Sequence, residues 1–413
     1  MKILLINYSD IGGGAASFSK RLLDGLNSEG VDAYLAVVDK KTDNIKVIQV
    51  KNTKKVIDAI PNLLYVKRKK LPFSCGFIGS SIKDVIEEIN PDIVHLNWIN
   101  GGFVSIKEIG KINKPIVWTL HDSWFFTGGC HIPNDCKRYM KCCGKCPNLG
   151  SSFNYDMSRF VICKKKKEWK KLKINLVCPS NWLMRNLKKS SIVSHNSVYT
   201  IHNGVSLSEY YPCKNTNKLR EKYGIGDKKV ILYGSAGILK DENKGLGFME
   251  EIYNRLPIYI KNSVQMVAFG ANKVISNSLL LNNTKFVGII KDESIMREIY
   301  SLADVFIMTS KSENLPFTAI ESMACGTPVI AFSTGGIPEI IQKNTGFLIN
   351  KYKIDMYVKK IIKILEPNMN KKMSKYSVKN VTNNFNINNT VKEYILLYKA
   401  VLNNEDINNH TII

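Results

Sequence analysis

For so basic a sequence there is little arginine: 8 of its 59 basic residues, the other 51 being lysine. Bidentate contacts to bases and phosphates are arginine chemistry that lysine does not reproduce. A sequence-reading nucleic-acid binder is therefore disfavoured, even at a formal net charge of +24. Long apolar runs are also missing. No window approaches the roughly 18 apolar residues that a membrane-spanning helix needs. The opening MKILLINYSD is broken by Asn7, Ser9 and Asp10 before a secretory-signal core can form. It reads as a first strand, and the protein as cytoplasmic. Ten cysteines in that compartment argue against a disulfide framework and for metal or buried-thiol roles.

The length, 413 residues, favours two or three domains, and 44% hydrophobic with 23% charged residues fits an ordinary globular protein. Lysine is accompanied by many Asn and Ile, the composition of an AT-rich genome at tolerant surface positions. The remaining positive excess is read as attraction to anionic ligands or an anionic membrane surface.

Along the chain, strands and helices alternate. Runs at 2–8, 31–38, 92–96, 116–120 and 175–179 read as buried strands, and a second series restarts with runs at 229–234, 264–270, 284–288, 305–309 and 328–333. The stretch 51–71 reads as a helix and loop at the surface. Such alternation implies parallel sheets with helices on both faces, and ligand crevices at the carboxyl ends of the strands. The expected boundaries are 1–205 (with a cysteine-rich insertion at about 125–150), 206–385, and a C-terminal helix and frayed tail at 386–413 packing back on the first domain.

The most specific constellation runs from Ser312-Glu313 through Glu321 to Gly326-Thr-Pro-Val-Ile-Ala331, with Gly335-Gly-Ile-Pro-Glu339 beyond it. Glu313 falls in a loop after a strand, and a helix starts near Pro316 or Phe317. A carboxylate beside a helix N-terminus can hold sugar hydroxyls and phosphate. Glu321, one turn further, can accept a ribose diol. Gly12-Gly13-Gly14 after the first strand can bring backbone N–H groups to a phosphate or substrate. His121, just after the strand 116–120, is aimed into the crevice. His95 is a weaker candidate for acceptor contact. Lys244, before Gly245 at a helix start, can stabilise a departing diphosphate.

The segment 312–331 resembles the E-x7-E signature of family-4 retaining glycosyltransferases. The likeness extends over roughly residues 1 to 350, through Gly12-Gly-Gly-Ala-Ala16, Thr119-Leu-His-Asp122, His202-Asn-Gly-Val205, Lys244-Gly245 and Gly288. It implies an α/β protein of the GT-B fold, two doubly wound Rossmann-like domains facing each other across a cleft. By that resemblance Glu313 binds the donor hexose near the reacting carbon and Glu321 the nucleotide ribose. The backbone of Asn314, Leu315, Pro316 and Phe317 binds sugar hydroxyls, Gly13 and Gly14 close over the donor, and His121 assists at the anomeric carbon. The family usually adds an Arg a few residues before Lys244. This sequence has none there, and Lys240 stands nearest to its place. No catalytic metal is implied.

Cys130, Cys136, Cys142, Cys143 and Cys146 fall within a short span, and Cys143-Gly-Lys-Cys146 is a C-x-x-C knuckle. Four thiolates, from Cys130, Cys136, Cys143 and Cys146, are the expected ligands of a structural zinc; reduced buried or redox thiols are the alternative. Trp124-Phe-Phe-Thr-Gly-Gly-Cys130 is similar to the start of a cysteine-bearing insertion in colanic-acid-type exopolysaccharide glycosyltransferases. The run Lys164–Lys173 reads as a solvated helix face, or, with Trp169, Leu172 and Phe160, as an interfacial helix on anionic lipid.

The expected function is transfer of a hexose from a UDP- or GDP-linked nucleotide-sugar to a glycan or polyprenyl-linked acceptor in bacterial surface polysaccharide biosynthesis. The expected setting is the cytoplasm, in peripheral contact with the anionic inner face of the plasma membrane, with no nucleic acid bound. The rival readings are a GT-B nucleotide-sugar epimerase and a basic zinc-bearing nucleic-acid-binding protein.

Overall fold

The structure, a computed structural model, describes residues 1–52, 55–69, 71–193, 196–235, 237–272 and 277–405. It divides into one unit of Met1–His202 with the chain from Asn388 onward, and a second of Asn203–Ile387. Among the described residues no helix is long and apolar enough to cross a membrane.

The first unit holds a seven-stranded sheet built from β1 (Lys2–Ile6), β2 (Asp32–Val37), β3 (Val47–Gln49), β4 (Ile93–Leu96), β5 (Ile116–Thr119), β6 (Ile174–Cys178) and β7 (Ser197–Thr200). Its order is β3-β2-β1-β4-β5-β6-β7 and every pairing is parallel. Strands covered by helices on both faces must be apolar throughout, and β4 and β5 are buried at every residue. The helix Ile387–Asn403, all but its first residue in this unit, packs against the same core. Gly25 admits it, since a Cβ there would come within 2.4 Å of Val391.

Two sequence expectations fail in this unit. His95, read as a weaker candidate for acceptor contact, is fully buried and has both ring nitrogens engaged inside the core, Nδ1 2.6 Å from the Tyr398 hydroxyl and Nε2 2.8 Å from Thr119 Oγ1. The helix Met157–Trp169 does not offer Trp169 to a lipid interface. The Trp169 indole N–H donates to the Ile106 carbonyl, and its ring stacks on Phe125 beside Trp118 and Trp124. Lys165, read as part of a solvated run, is fully buried; it donates to the carbonyls of Trp124 and Thr127 and lies over the Trp124 ring. Its burial holds the amine well below the usual lysine range.

The second unit holds β8 (Lys229–Gly234), β9 (Val264–Phe269), β10 (Thr284–Phe286), β11 (Val305–Met308), β12 (Val329–Phe332) and β13 (Gly346–Ile349), in the order β10-β9-β8-β11-β12-β13, again all parallel. In both sheets the order reverses once, between β1 and β4 and between β8 and β11. Doubly wound sheets bind ligands at the carboxyl ends flanking such a reversal.

Candidate active site

In the second unit, the loops after β8 and β11 are joined at the reversal. The Lys311 N–H donates to the Asn243 carbonyl at 2.7 Å, and Asn243 Nδ2 to the Ser312 carbonyl at 2.8 Å. Thr309 Oγ1 donates to the carbonyls of Lys244 (3.1 Å) and Gly245 (2.9 Å). Gly245, at φ +71°, permits this approach, because a Cβ would lie 2.2 Å from the Thr309 carbonyl oxygen. Beyond β12 the turn at Gly335 (φ +59°) presses on Glu313. A Cβ at Gly335 would lie 1.6 Å from the Glu313 carbonyl oxygen, which accepts the Gly336 N–H at 3.1 Å.

The result is an ion pair the sequence did not announce: Lys244 Nζ stands 2.7 Å from Glu313 Oε1. Their side chains are 21% and 13% exposed. Burial opposes the charge on Lys244, but the Glu313 carboxylate outweighs it and raises the ammonium above the usual lysine range. Both residues line a small cavity with Gly234, Ser235, Ser310 and Thr318. Ser235 Oγ is buried there with no hydrogen-bond partner among the described residues. A buried hydroxyl of that kind normally has a partner, so it fits a ligand oxygen. Sequence reading missed Ser235; a serine directly after a strand's terminal glycine is the signal that could have found it. Lys240 lines a second cavity, of about 390 Å³, together with Gly245 and Lys311.

The helix Phe317–Ala324 begins where the spacing predicts, with Pro316 as its N-cap residue. Leu315 and Phe317 are buried, so their side chains belong to the core. Pro316 has no N–H, which corrects the expectation for that residue: it fixes the backbone and donates nothing to a sugar. Glu321 is 8% exposed and accepts the Tyr300 hydroxyl at 3.2 Å. It does not line the Lys244–Glu313 cavity.

In the first unit, Gly12 and Gly13 adopt φ +99° and +79°, and Gly13 caps the helix Gly14–Ser28. Nothing lies within 4 Å of a Cβ built at either, so the backbone conformation and not crowding selects glycine. The Phe18 ring from that helix meets the His121 ring at 5.1 Å, which brings the glycine turn and His121 into one neighbourhood. His121 Nε2 lies 3.0 Å from Asn97 Oδ1. Enclosure by protein pushes His121 down to about 4, against the pull of Asp122, so the imidazole is neutral at pH 7.

Asp122 is held by three donors: the Trp98 indole at 3.0 Å, the Trp124 N–H at 2.7 Å, and His131 Nδ1 at 2.6 Å. Burial would raise its carboxyl, but the adjacent His131 and these hydrogen bonds carry it below the usual range. His131 Nε2 in turn lies 2.8 Å from Ser74 Oγ. His131 sits inside the cysteine-rich segment and has no sequence signal of its own. It ties that segment to the His121 loop.

The cysteines themselves do not form the expected site. Among the described residues no three His, Cys, Asp or Glu side chains are disposed to hold a metal ion. Cys130 and Cys146 are buried with Leu149 against Tyr65, Phe73 and Met157. Their sulfurs share a hydrogen bond, which raises Cys130 and lowers Cys146. Burial pushes Cys143 up to about 12, and Cys136 and Cys142 are half-exposed. Apolar packing and thiol pairing, rather than thiolate convergence, order this loop.

Residues 12–209 match the family described as Glycosyltransferase Family 4, and residues 215–380 match Glycosyl transferases group 1. In sequence the chain is similar to a protein of Escherichia coli named as a colanic acid biosynthesis glycosyl transferase, 22% identical over 271 residues, 63% of this chain and 64% of that one. The chain thus spans less than two thirds of the length of that relative. In structure it is similar to sucrose-phosphate synthase from Thermosynechococcus elongatus, with a TM-score of 0.71 and 18% identity over 98% of this chain and 100% of that one. It is also similar to Anabaena HepE in complex with UDP-glucose, with a TM-score of 0.64 and 15% identity over 96% of this chain and 100% of that one. These likenesses establish the fold as GT-B.

Proposed function

We propose that this chain, a GT-B glycosyltransferase carrying a family 4 domain and a group 1 domain, moves a hexose from a UDP- or GDP-linked donor to a glycan or polyprenyl-linked acceptor of a bacterial surface polysaccharide, with retention at the anomeric carbon. The observation that carries the reading is the Lys244–Glu313 pair, fixed at the strand-order reversal by a glycine turn on one side and the Asn243 stitch on the other. An ammonium has three donors and one is spent on Glu313, which leaves two for diphosphate oxygens. As the bond from the anomeric carbon to the diphosphate breaks, negative charge grows on the leaving group. A fixed cation then stabilises the transition state more than the ground state.

The acceptor hydroxyl attacks the face that the diphosphate leaves. Its oxygen forms the new bond, and its proton passes to a diphosphate oxygen. No enzyme nucleophile is required. Glu313 holds a sugar hydroxyl, assisted by the backbone N–H groups of Asn314, Leu315 and Phe317, and Glu321 holds the ribose. Neutral His121 is assigned to hydrogen-bond the transferred sugar, and the backbone of Gly13 and Gly14 to approach the donor closely.

The test is a thermal-shift screen of UDP-, GDP- and ADP-sugars followed by kinetics. A true donor raises the midpoint by mass action. Glu313→Ala should then lower turnover about 10²-fold or more, the usual cost of losing one preorganised electrostatic group, while free nucleoside diphosphate binds as before. No midpoint shift with any nucleotide-sugar, or a sugar nucleotide rearranged without acceptor, would defeat the proposal.

A further inference from the structure

Two segments far apart in sequence meet on the surface of the first unit. The helix Lys55–Leu63 turns Asp58 inward, where the buried carboxylate accepts the Phe77 N–H, and turns Ile57, Ile60 and Leu63 outward at helical spacing. The chain then runs through Leu64 and Val66, which are 76% and 96% exposed. Against it lies the loop ending in the helix Met157–Trp169. The Met157 N–H donates to the Tyr65 hydroxyl at 2.9 Å, and the Lys69 N–H to the Asn148 carbonyl at 2.8 Å. Gly150 lets the strands of chain touch, because a Cβ there would lie 2.5 Å from the Lys67 carbonyl oxygen. That loop exposes Phe153 and Tyr155, at 76% and 75%, and the Arg159 guanidinium stands 5.0 Å from the Tyr155 ring centroid. Beneath the junction, Tyr65 packs on the cluster of Cys130, Cys146 and Leu149.

The exposed charges that these two segments carry have one sign. Between Asp58 and Asp84, and again between Asp135 and Asp156, the sequence has no Asp or Glu, while Lys67, Arg68, Lys69 and Lys145 fall within those intervals. The bounding Asp58 and Asp156 are both buried, the latter capping its helix. Isolated exposed apolar residues need no explanation, but a grouping of aliphatic and aromatic tips on two touching segments that expose cations and bury their carboxylates does. A second copy of the same face would meet it with like charge. A sheet of anionic headgroups over hydrocarbon satisfies both parts at once.

We propose that the surface formed by residues 57–69 and 145–159 docks on an anionic lipid bilayer, with Leu64, Val66 and Phe153 entering the headgroup boundary and Lys67, Arg68 and Lys69 facing the phosphates. The expected lipid run at Lys164–Lys173 is thereby replaced. The cysteine-rich insertion gains a role as the scaffold that joins the two segments. The inference deepens the reading of a polyprenyl-linked acceptor and rests on it for its purpose, but its test involves no turnover.

The full-length protein is floated with vesicles of phosphatidylglycerol in phosphatidylcholine, and with phosphatidylcholine alone. Binding is expected with the anionic vesicles only, weakening as salt is added. Lys67→Glu/Arg68→Glu/Lys69→Glu should weaken it more than tenfold, at about fivefold or more per cation. Leu64→Ser/Val66→Ser/Phe153→Ser, all at exposed positions, should do the same. Lys167→Glu/Lys170→Glu/Lys171→Glu, an equal change of charge on the helix 157–169 and just past its end, should bind as the unaltered protein. Equal loss in that control, no binding to anionic vesicles, or patch variants that dissociate a dimer in light scattering without changing flotation would each overturn the proposal. Failure of nucleotide-sugars to shift the midpoint bears on the transferase reading alone and leaves the vesicle result standing.

Discussion

At the scale of single residues, the donor side depends on where one carbonyl can go. Glu313 reaches Lys244 because its own backbone is pressed under Gly335, at φ +59°. Any Cβ at Gly335 must displace the Glu313 carbonyl and must also occupy a left-handed conformation costing about 1–2 kcal/mol. Gly335→Ala should therefore lower turnover at least tenfold through misplacement of Glu313, with circular dichroism unchanged. Gly226→Ala, also at positive φ and with nothing within 4 Å of its Cβ, should cost only the conformational strain. Steady-state kinetics on the two variants checks this; similar activities would show that the Gly335 clamp does not position the carboxylate. The acidic pair and Lys244 are legible in sequence because their spacing sits beside Gly and Pro signals. Their mutual ion pair, Ser235 and His131 are not, since each depends on loops brought together from separate strands.

At the scale of elements, strand runs such as 2–6 and 305–308 are legible because burial on both faces leaves a continuous apolar stretch. The edge strands β3 and β13 are short and half-exposed, so they leave no such stretch. The sequence of the helix Met157–Trp169 misleads for a different reason. Its run of lysines dominates composition, yet Val161, Ile162, Lys165 and Trp169 fall on one buried face at helical spacing. Lys165 passes for solvated because a lysine can be buried only if its amine finds acceptors, and these come from the loop at Trp124 and Thr127. Lys165→Ala should lose stem packing and leave a cavity, a cost of about 2–4 kcal/mol. Lys167→Ala, two residues along and exposed, should stay within about 0.5 kcal/mol. Urea titrations of both variants decide the matter, and equal midpoints would return the whole run to the solvent.

At the scale of the molecule, the chain closes its first unit with its last helix. Tyr394 and Tyr398 are fully buried in that unit, and with His95 and Thr119 they form a polar chain: Tyr398 to His95 at 2.6 Å, His95 to Thr119 at 2.8 Å, and Thr119 to Tyr394 at 2.7 Å. Burial pushes His95 down to about 3, so the imidazole is neutral and must share protons with these hydroxyls. Removing one member strands its neighbours in a fully buried site, where an unpaired polar group costs about 1–3 kcal/mol. Loss of an aromatic side chain adds about 3–5 kcal/mol. Tyr394→Ala should therefore lower the unfolding transition of the first unit, while the nucleotide-dependent shift of the second, which lacks this helix apart from its first residue, persists. Tyr394→Phe separates the two causes, because it keeps the ring and loses only the hydrogen bond to Thr119; it should show the smaller, polar part of the loss. Calorimetry with and without the donor nucleotide reads both units in one scan. If Tyr394→Ala abolished the nucleotide shift as well, the second unit would depend on the C-terminal helix for its folding, and the division of labour between the two units would fall.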